Sequence, residues 1–280
     1  MKYATRINSY LNEGFSLEES IKEISSINDI EYVDLNYPEH FQNTSVDRIK
    51  KCLKENDIKI NAINLRFRDE FINGDLGNQN KNIMEKARKL SFEAIEIAEK
   101  IDASQIIFWL GHDGYDYSFQ LNYTKTWEQI VEILQEVSRS TDKKVSIEYK
   151  PYEERATALI DSFGTAMLLV NDVNEENFGV TADYCHMLMK RENPAFVISM
   201  LTEKNLLFNM HINDGYGNFD DGLMVGTVSF WQTIETFFYL KKNKFEGIIY
   251  FDTFPERERA IEETKFNIRM CKFIEKLIDD

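Results

Sequence analysis

Leu206-Leu-Phe-Asn-Met-His211-Ile-Asn-Asp214-Gly-Tyr-Gly217-Asn-Phe-Asp220-Asp221-Gly222 begins as an apolar run and breaks into histidine, carboxylates and turn residues. A strand that ends in metal-ligating side chains is the direct reading. Three other apolar runs end the same way: Val145-Ser-Ile-Glu148-Tyr-Lys150-Pro, Val180-Thr-Ala-Asp183-Tyr-Cys-His186 and Ile248-Ile-Tyr-Phe-Asp252. Carboxylates gathered at one end of successive strands repel one another and raise each other's pKa unless a cation sits among them. The pattern therefore predicts strands that run in one direction and converge on an ion.

Outward from these runs, the chain alternates strand and helix patterns. Tyr3–Asn8 reads as a first strand, and Ser16-Leu-Glu-Glu19 is a capping-box pattern that opens a helix with Leu17, Ile21, Ile24 and Ile27 on one face. Strands are predicted at 32–36, 58–67 and 105–110. Intervening helices cover 46–55, with Ile49, Cys52 and Leu53 inward, and the stretch in which Ile83, Ala87, Leu90, Ala94, Ile97 and Ile101 repeat at steps of three and four. A helix at 127–137 precedes the strand 144–148, a helix around 166–170 precedes 178–183, and Asn193-Pro194 caps the next helix. The strand 206–212, a helix at 230–240, the strand 247–251 and a last helix carrying Ile261, Thr264, Ile268, Cys271 and Ile274 complete eight strand-then-helix units. Such alternation calls for a parallel sheet covered by helices, and eight units predict an α/β fold, a single (β/α)8 TIM barrel spanning 1–280 as one domain. An open doubly wound sheet would place a glycine-rich phosphate turn after its first strand, and Asn8-Ser-Tyr-Leu-Asn-Glu-Gly14 is not one.

Composition narrows the partners. Forty-eight acidic against 33 basic residues leave a net charge of -15, which argues against nucleic acid or an anionic membrane and for a small-molecule substrate. Cys52, Cys185 and Cys271 are odd in number and scattered, so a disulfide framework is not expected and a cytoplasmic location is. The amino-terminal residues lack a signal-peptide pattern, and no eighteen apolar residues run together.

Barrel enzymes carry their chemistry where strands end, which is where Glu148, Asp183, His211 and Asp252 fall. Oxygen ligands with one imidazole suit manganese, with magnesium or cobalt as alternatives, better than a structural zinc. Any one of these acids alone would read as a strand-end residue in a local ion pair; four in consecutive units read as a site. His186, Asp220 and Asp221 form a second set able to hold a second ion, although Asp220-Asp221-Gly222 alone reads as an acidic turn. Lys150 shares a strand face with Glu148 and could donate to a developing alkoxide, and Trp109 before Gly111-His112 offers an apolar wall for a sugar. Cys185 has no partner for nucleophilic catalysis and reads as packing.

Glu148-Tyr-Lys150-Pro151, Asp183-x-x-His186, His211-Ile-Asn-Asp214 and Asp220-Asp221-x-Leu-Met-Val-Gly226 together resemble the xylose isomerase-like barrel superfamily, most closely its L-rhamnose isomerase type. Phe71-Ile-Asn-Gly-Asp-Leu76 and Trp109-Leu-Gly111 extend the resemblance over nearly the whole chain. The resemblance implies a structural metal on Glu148, Asp183, His211 and Asp252, and a catalytic metal on His186 with acids of the Asp220-Asp221 turn. It implies Lys150 as the carbonyl-polarising lysine and His186 as a further substrate contact. The implied reaction interconverts an aldose and a ketose, a 6-deoxyhexose being one candidate, by moving hydrogen between C1 and C2. Related single-metal barrels epimerise ketoses at C3 through an enediolate, with Glu148 and Asp252 here as acid and base. Gly222 stands where such isomerases often present a third acid, and Asp252 where the epimerases carry glutamate. A barrel that binds metal and sugar without turnover is a further reading, and a phosphodiesterase ranks last. Family habit, with Phe67, Phe71 and Tyr117 as exposed aromatics able to cap a neighbouring site, predicts a homo-oligomer, a tetramer or dimer.

Overall fold

The computed structural model describes residues 1–279. Eight parallel strands form a closed barrel: β1 (Lys2–Arg6), β2 (Ile30–Tyr37), β3 (Lys59–Arg66), β4 (Gln105–Trp109), β5 (Lys144–Glu148), β6 (Phe178–Asp183), β7 (Leu207–Ile212) and β8 (Ile248–Phe251). Spatial order follows chain order, and the ring closes where Lys2 to Thr5 of β1 pair with Ile248 to Phe251 of β8. Closure leaves no sheet edge, and parallel pairing brings every carboxyl-terminal strand end to one rim. The expected fold class is the observed one.

The helices are α1 (Ile7–Asn12), α2 (Leu17–Ser25), α3 (Val46–Glu55), α4 (Lys81–Ile101), α5 (Tyr123–Arg139), α6 (Phe163–Val173), α7 (Tyr184–Lys190), α8 (Pro194–Glu203), α9 (Phe230–Lys242) and α10 (Ala260–Asp279). The capping box at Ser16 is formed, with the Glu19 amide donating to Ser16 Oγ at 3.2 Å and the Ser16 amide to Glu19 Oε2 at 2.8 Å. Such a cap contributes about 1 kcal/mol. Asn193 likewise caps α8 ahead of Pro194. No described helix is long and apolar enough to cross a membrane.

Three expectations are corrected, and one helix that the sequence pattern did not predict is added. The first strand stops at Arg6, because Ile7–Asn12 turns into a short helix that buries Ile7 and Tyr10. The buried face of α4 is Ala87, Ser91, Ala94, Ile95, Ala98 and Ile101, while Ile83, Leu90 and Ile97 are half-buried. Small residues on the inner stripe let the helix approach its neighbours closely, and the large side chains fill the margins. Helix α7 follows β6 without a loop; its residues Tyr184 to Met187 are all buried and carry no amphipathic period. Phe67 and Phe71 are not exposed: they are buried edge to face with ring centroids 5.2 Å apart, and of the three aromatics only Tyr117 is open to solvent.

Short-range contacts group the chain into two compact units, Met1–Leu35 with His40–Asn61 and Ala182–Asp280, and Asn36–Glu39 with Ala62–Thr181. The first holds β1, β7 and β8 with α1 to α3 and α7 to α10; the second holds β4 and β5 with α4 to α6. The divisions fall inside β2, β3 and β6. The second unit also contains a two-stranded ribbon, Gly114–Tyr115 against Thr157–Ala158.

Candidate metal centre and active site

Asp183 ends β6 and does two things at once. As the N-cap of α7 it accepts the His186 amide at Oδ1, 3.0 Å away, which satisfies one of the amides a helix start leaves open. It is fully buried, and Asn213 Nδ2 donates to its Oδ2 at 3.1 Å. Asn213 also donates to the Asp252 carbonyl at 3.1 Å and accepts the Cys185 amide at 2.8 Å. One amide side chain thus orients strand ends β6, β7 and β8.

His211 sits on β7, 2% exposed, its Nδ1 3.9 Å from Asp252 Oδ2. Its ring lies 4.7 Å from that of Tyr250 on β8. Asp252, just past β8, faces Arg6 at the end of β1, with Nη1 to Oδ1 at 3.6 Å. Glu148 closes β5, and its register partner on β6 is Thr181, two residues before Asp183. Glu148, Asp183, His211 and Asp252 each offer one ligand atom within 4.8 Å of the others. Three carboxylates and an imidazole at that spacing, with side chains at most 14% exposed, are strongly self-repelling without a cation. The residues fit a divalent ion with oxygen preference.

A second group, Asp183, His186 and Asp220, also fits within 4.8 Å. His186 Nε2 lies 3.2 Å from Asp220 Oδ2. The loop that returns Asp220 is built on Asp214, which accepts the amides of Gly215, Val228 and Ser229 and the Ser229 hydroxyl at 2.7 to 3.3 Å. Backbone pairing of Asp214 with Leu223 closes it. Asp221 stands outside both groups: its Oδ2 accepts the Tyr216 amide at 2.7 Å. Gly222 has φ +55, and a Cβ there would meet the Phe254 ring at 2.3 Å. The Phe254 ring stacks under the Arg6 guanidinium, 4.2 Å from its centroid. An acid at position 222 would displace that ring and lose the left-handed backbone glycine tolerates.

Lys150 Nζ lies 2.7 Å from Glu153 Oε1 and 5.6 Å from the Trp109 ring centroid, so both Lys150 and Trp109 stand at the strand-end face of β4 and β5. Burial pushes the Cys185 thiol well above its usual range, with the Asp183 and Asp220 charges adding to it. It packs as a neutral thiol, its Sγ 3.3 Å from the Phe219 carbonyl. Glu263 of α10 is buried, and burial raises its carboxyl to about 7, opposed by a hydrogen bond with Thr253 and by Arg6.

Sequence reasoning missed Arg6, Asn213, Phe254 and Glu263. Asn213 carried a signal, since it shares a strand face with His211 two residues earlier. The other three arrive from β1, the segment after β8 and α10, and nothing local marks them.

A family model described as a xylose isomerase-like TIM barrel matches residues 26–271. A D-tagatose 3-epimerase-like protein superposes with a TM-score of 0.80 at 18% identity, covering 99% of this chain and 100% of its own. A D-allulose 3-epimerase from Methylomonas sp., solved with D-allulose, gives 0.78 at 15% identity over 99% and 96%. A 3-keto-D-glucoside 4-epimerase from E. coli gives 0.73 at 16% identity over 99% of each chain. No curated protein matches the chain.

Proposed function

Because the chain belongs to the xylose isomerase-like TIM-barrel family, we propose that it is a divalent-metal-dependent sugar epimerase acting on a ketose through an enediolate. The observation that carries the reading is the placement of two carboxylates, Glu148 and Asp252, in one four-residue group whose ligand atoms lie within 4.8 Å of each other. In this scheme they stand on either side of the carbon next to a carbonyl. One removes a proton from that carbon and the other returns a proton to the opposite face, which inverts the centre. Arg6, 3.6 Å from Asp252 Oδ1, holds the shorter acid in place and leaves Oδ2 directed toward His211. Lys150 donates to the carbonyl oxygen as negative charge develops. His186, backed by Asp220, binds a neighbouring hydroxyl, and Trp109 packs against the carbon chain. When bound, a divalent ion, with manganese favoured, would be held by Glu148, Asp183, His211 and Asp252 and would supply Lewis acidity that makes the proton next to the carbonyl easier to remove.

The Asp183, His186 and Asp220 group favours a second reading, aldose–ketose isomerisation with two ions, the reaction of the L-rhamnose isomerase type. Two features weigh against it. Asp221 is committed to the Tyr216 amide, and Gly222 supplies no acid, so the second group has Asp183 in common with the first and only two donors of its own. The ketose 3-epimerase and 3-epimerase-like structures that share the fold support the first reading.

The test is product and label analysis by NMR after incubating the magnesium- or manganese-loaded protein with ketoses and aldoses in deuterated water. Ketose-to-ketose conversion with deuterium at the inverted carbon is the expected result. Aldose formation with little label would select the two-ion isomerase, and bound metal without turnover across the panel would replace both with a sugar-binding barrel. A homo-oligomer remains part of the proposal, and a monomer in sedimentation at micromolar concentration would remove it.

A further inference from the structure

Arg66 ends β3 in register with Trp109 at the end of β4. Its guanidinium stands 5.2 Å from the centroid of the indole. The Nε is buried and donates no hydrogen bond. Among the described residues no carboxylate forms an ion pair with Arg66. The same indole carries a second cation, Lys150 at 5.6 Å, but that ammonium has Glu153 at 2.7 Å. His112, edge-on to Trp109 at 5.4 Å, adds no negative charge, and burial together with Arg68 and Arg66 disfavours its protonated form.

A partly buried guanidinium without a counter-ion is costly, and it is out of place in a chain with fifteen surplus negative charges. The planar fork of arginine beside an aromatic ring can still pair through its two terminal Nη groups with an oxyanion that has two acceptor oxygens. The location is informative too. Phe108 of β4 is in register with Ile147 of β5, so Trp109 and Glu148 end neighbouring strands, and Arg66 ends the next one. Two strand spacings amount to roughly 10 Å. That is the reach from a reacting carbon near Glu148 to the far end of a six-carbon chain with an acid group.

We propose that Arg66 binds an oxyanion on the substrate, so that the substrate is an acid-bearing sugar, a carboxylate or a phosphate monoester, in place of a neutral ketose. This deepens the epimerase reading and rests on it for the position of the reacting carbon. Arg66 would set specificity, while Glu148 and Asp252 perform the proton transfers.

The experiment is calorimetric titration of the magnesium-loaded full chain with ketohexoses matched in configuration and differing only at C6: hydroxymethyl, carboxylate or phosphate. An anionic member should bind at least ~10-fold tighter than its neutral counterpart, the cost of one lost charge-assisted pairing. Arg66→Gln should erase that preference while leaving neutral-sugar affinity and metal stoichiometry unchanged, and Arg66→Lys should keep part of it. Whichever anion binds tighter identifies the group. Equal binding of all three, no binding of any, or an Arg66→Gln protein that keeps the preference overturns the inference. A wild-type preference for the anion that Arg66→Gln erases, with no turnover of any of the three ligands by NMR, would overturn the epimerase reading alone.

Discussion

Two buried acid assemblies in this protein meet the same electrostatic problem in different ways. Asp75 and Asp113, on the segments after β3 and β4, are almost wholly buried and close enough for their charges to interact. Burial and the Asp113 charge push the Asp75 carboxyl well above the usual range, which favours a neutral Asp75 in the pair. Its remaining charge is met by backbone: the Asp75 and Gly77 amides donate to the two Asp113 oxygens at 2.7 Å each. The group of Glu148, Asp183, His211 and Asp252 brings three acids together, and the His186 amide and Asn213 Nδ2 donate to only one of them in this way, Asp183, at 3.0 and 3.1 Å. The Arg6 guanidinium stands 3.6 Å from Asp252, and in the proposed reading a divalent ion supplies the rest of the balancing charge. One assembly is closed by groups the chain carries, and the other is the one we propose as the metal site.

That contrast can be broken at the metal end first. Glu148→Gln keeps the shape and removes one charge, so metal stoichiometry should collapse and turnover fall by more than the roughly 10–100-fold that outer-shell partners carry. Chelation of the wild-type protein should mimic this variant in melting temperature. A Glu148→Gln protein that binds metal normally by elemental analysis would remove Glu148 from the ligand set. Asn213→Ala is milder. It leaves all four ligands but frees Asp183 Oδ2 and the Asp252 carbonyl from their donor, and metal affinity should drop about 10–100-fold without loss of stoichiometry at saturation. Unchanged affinity in a metal-buffered titration would make Asn213 purely a backbone tie.

At the proton end, Asp113→Asn should cost about 2–4 kcal/mol in denaturant unfolding. An amide cannot accept on both atoms, so one of the Asp75 and Gly77 donors is left buried and unmet. Metal affinity should not move, because the two assemblies are neutralised independently. A joint loss of stability and metal would show that they are coupled.

The barrel was legible because each strand-then-helix unit repeats the same apolar period, and the four-residue cluster because each member closes an apolar run. Glu148, Asp183, His211 and Asp252 needed no long-range information beyond the direction of the strands. Helix α7 was invisible because Tyr184 to Met187 are buried on all sides and leave no amphipathic signal. Gly222 looked like a gap in an acidic turn. In the structure it is a positive-φ residue beneath Phe254, which in turn supports Arg6, a chain of contacts linking three segments distant in sequence. Asp75 and Asp113 were out of reach for the same reason: sequence shows Asn73-Gly74-Asp75 as a turn but not which distant carboxyl it faces. Arg66 and Arg6 look like ordinary polar strand ends until their ring and ion partners are known.

The smallest expected effect comes from Asp75→Asn, and its sign is fixed by linkage. A carboxyl whose folded pKa is raised keeps its proton in the folded state at a pH where the unfolded chain, near the ordinary value of 3.8, has already lost it. Between those two values the folded state binds more protons, so stability declines as pH rises, and the contribution is gone above the folded value. Asparagine at 75 keeps the size of the side chain but has no proton to lose. The variant should therefore match wild type near pH 4 and melt about 2–4 °C higher at pH 8, equivalent to ~1 kcal/mol. Melting curves for both proteins across that range decide it. A variant that is less stable than wild type at pH 8 would mean that the Asp75 carboxyl stabilises the folded protein there, against a raised folded value.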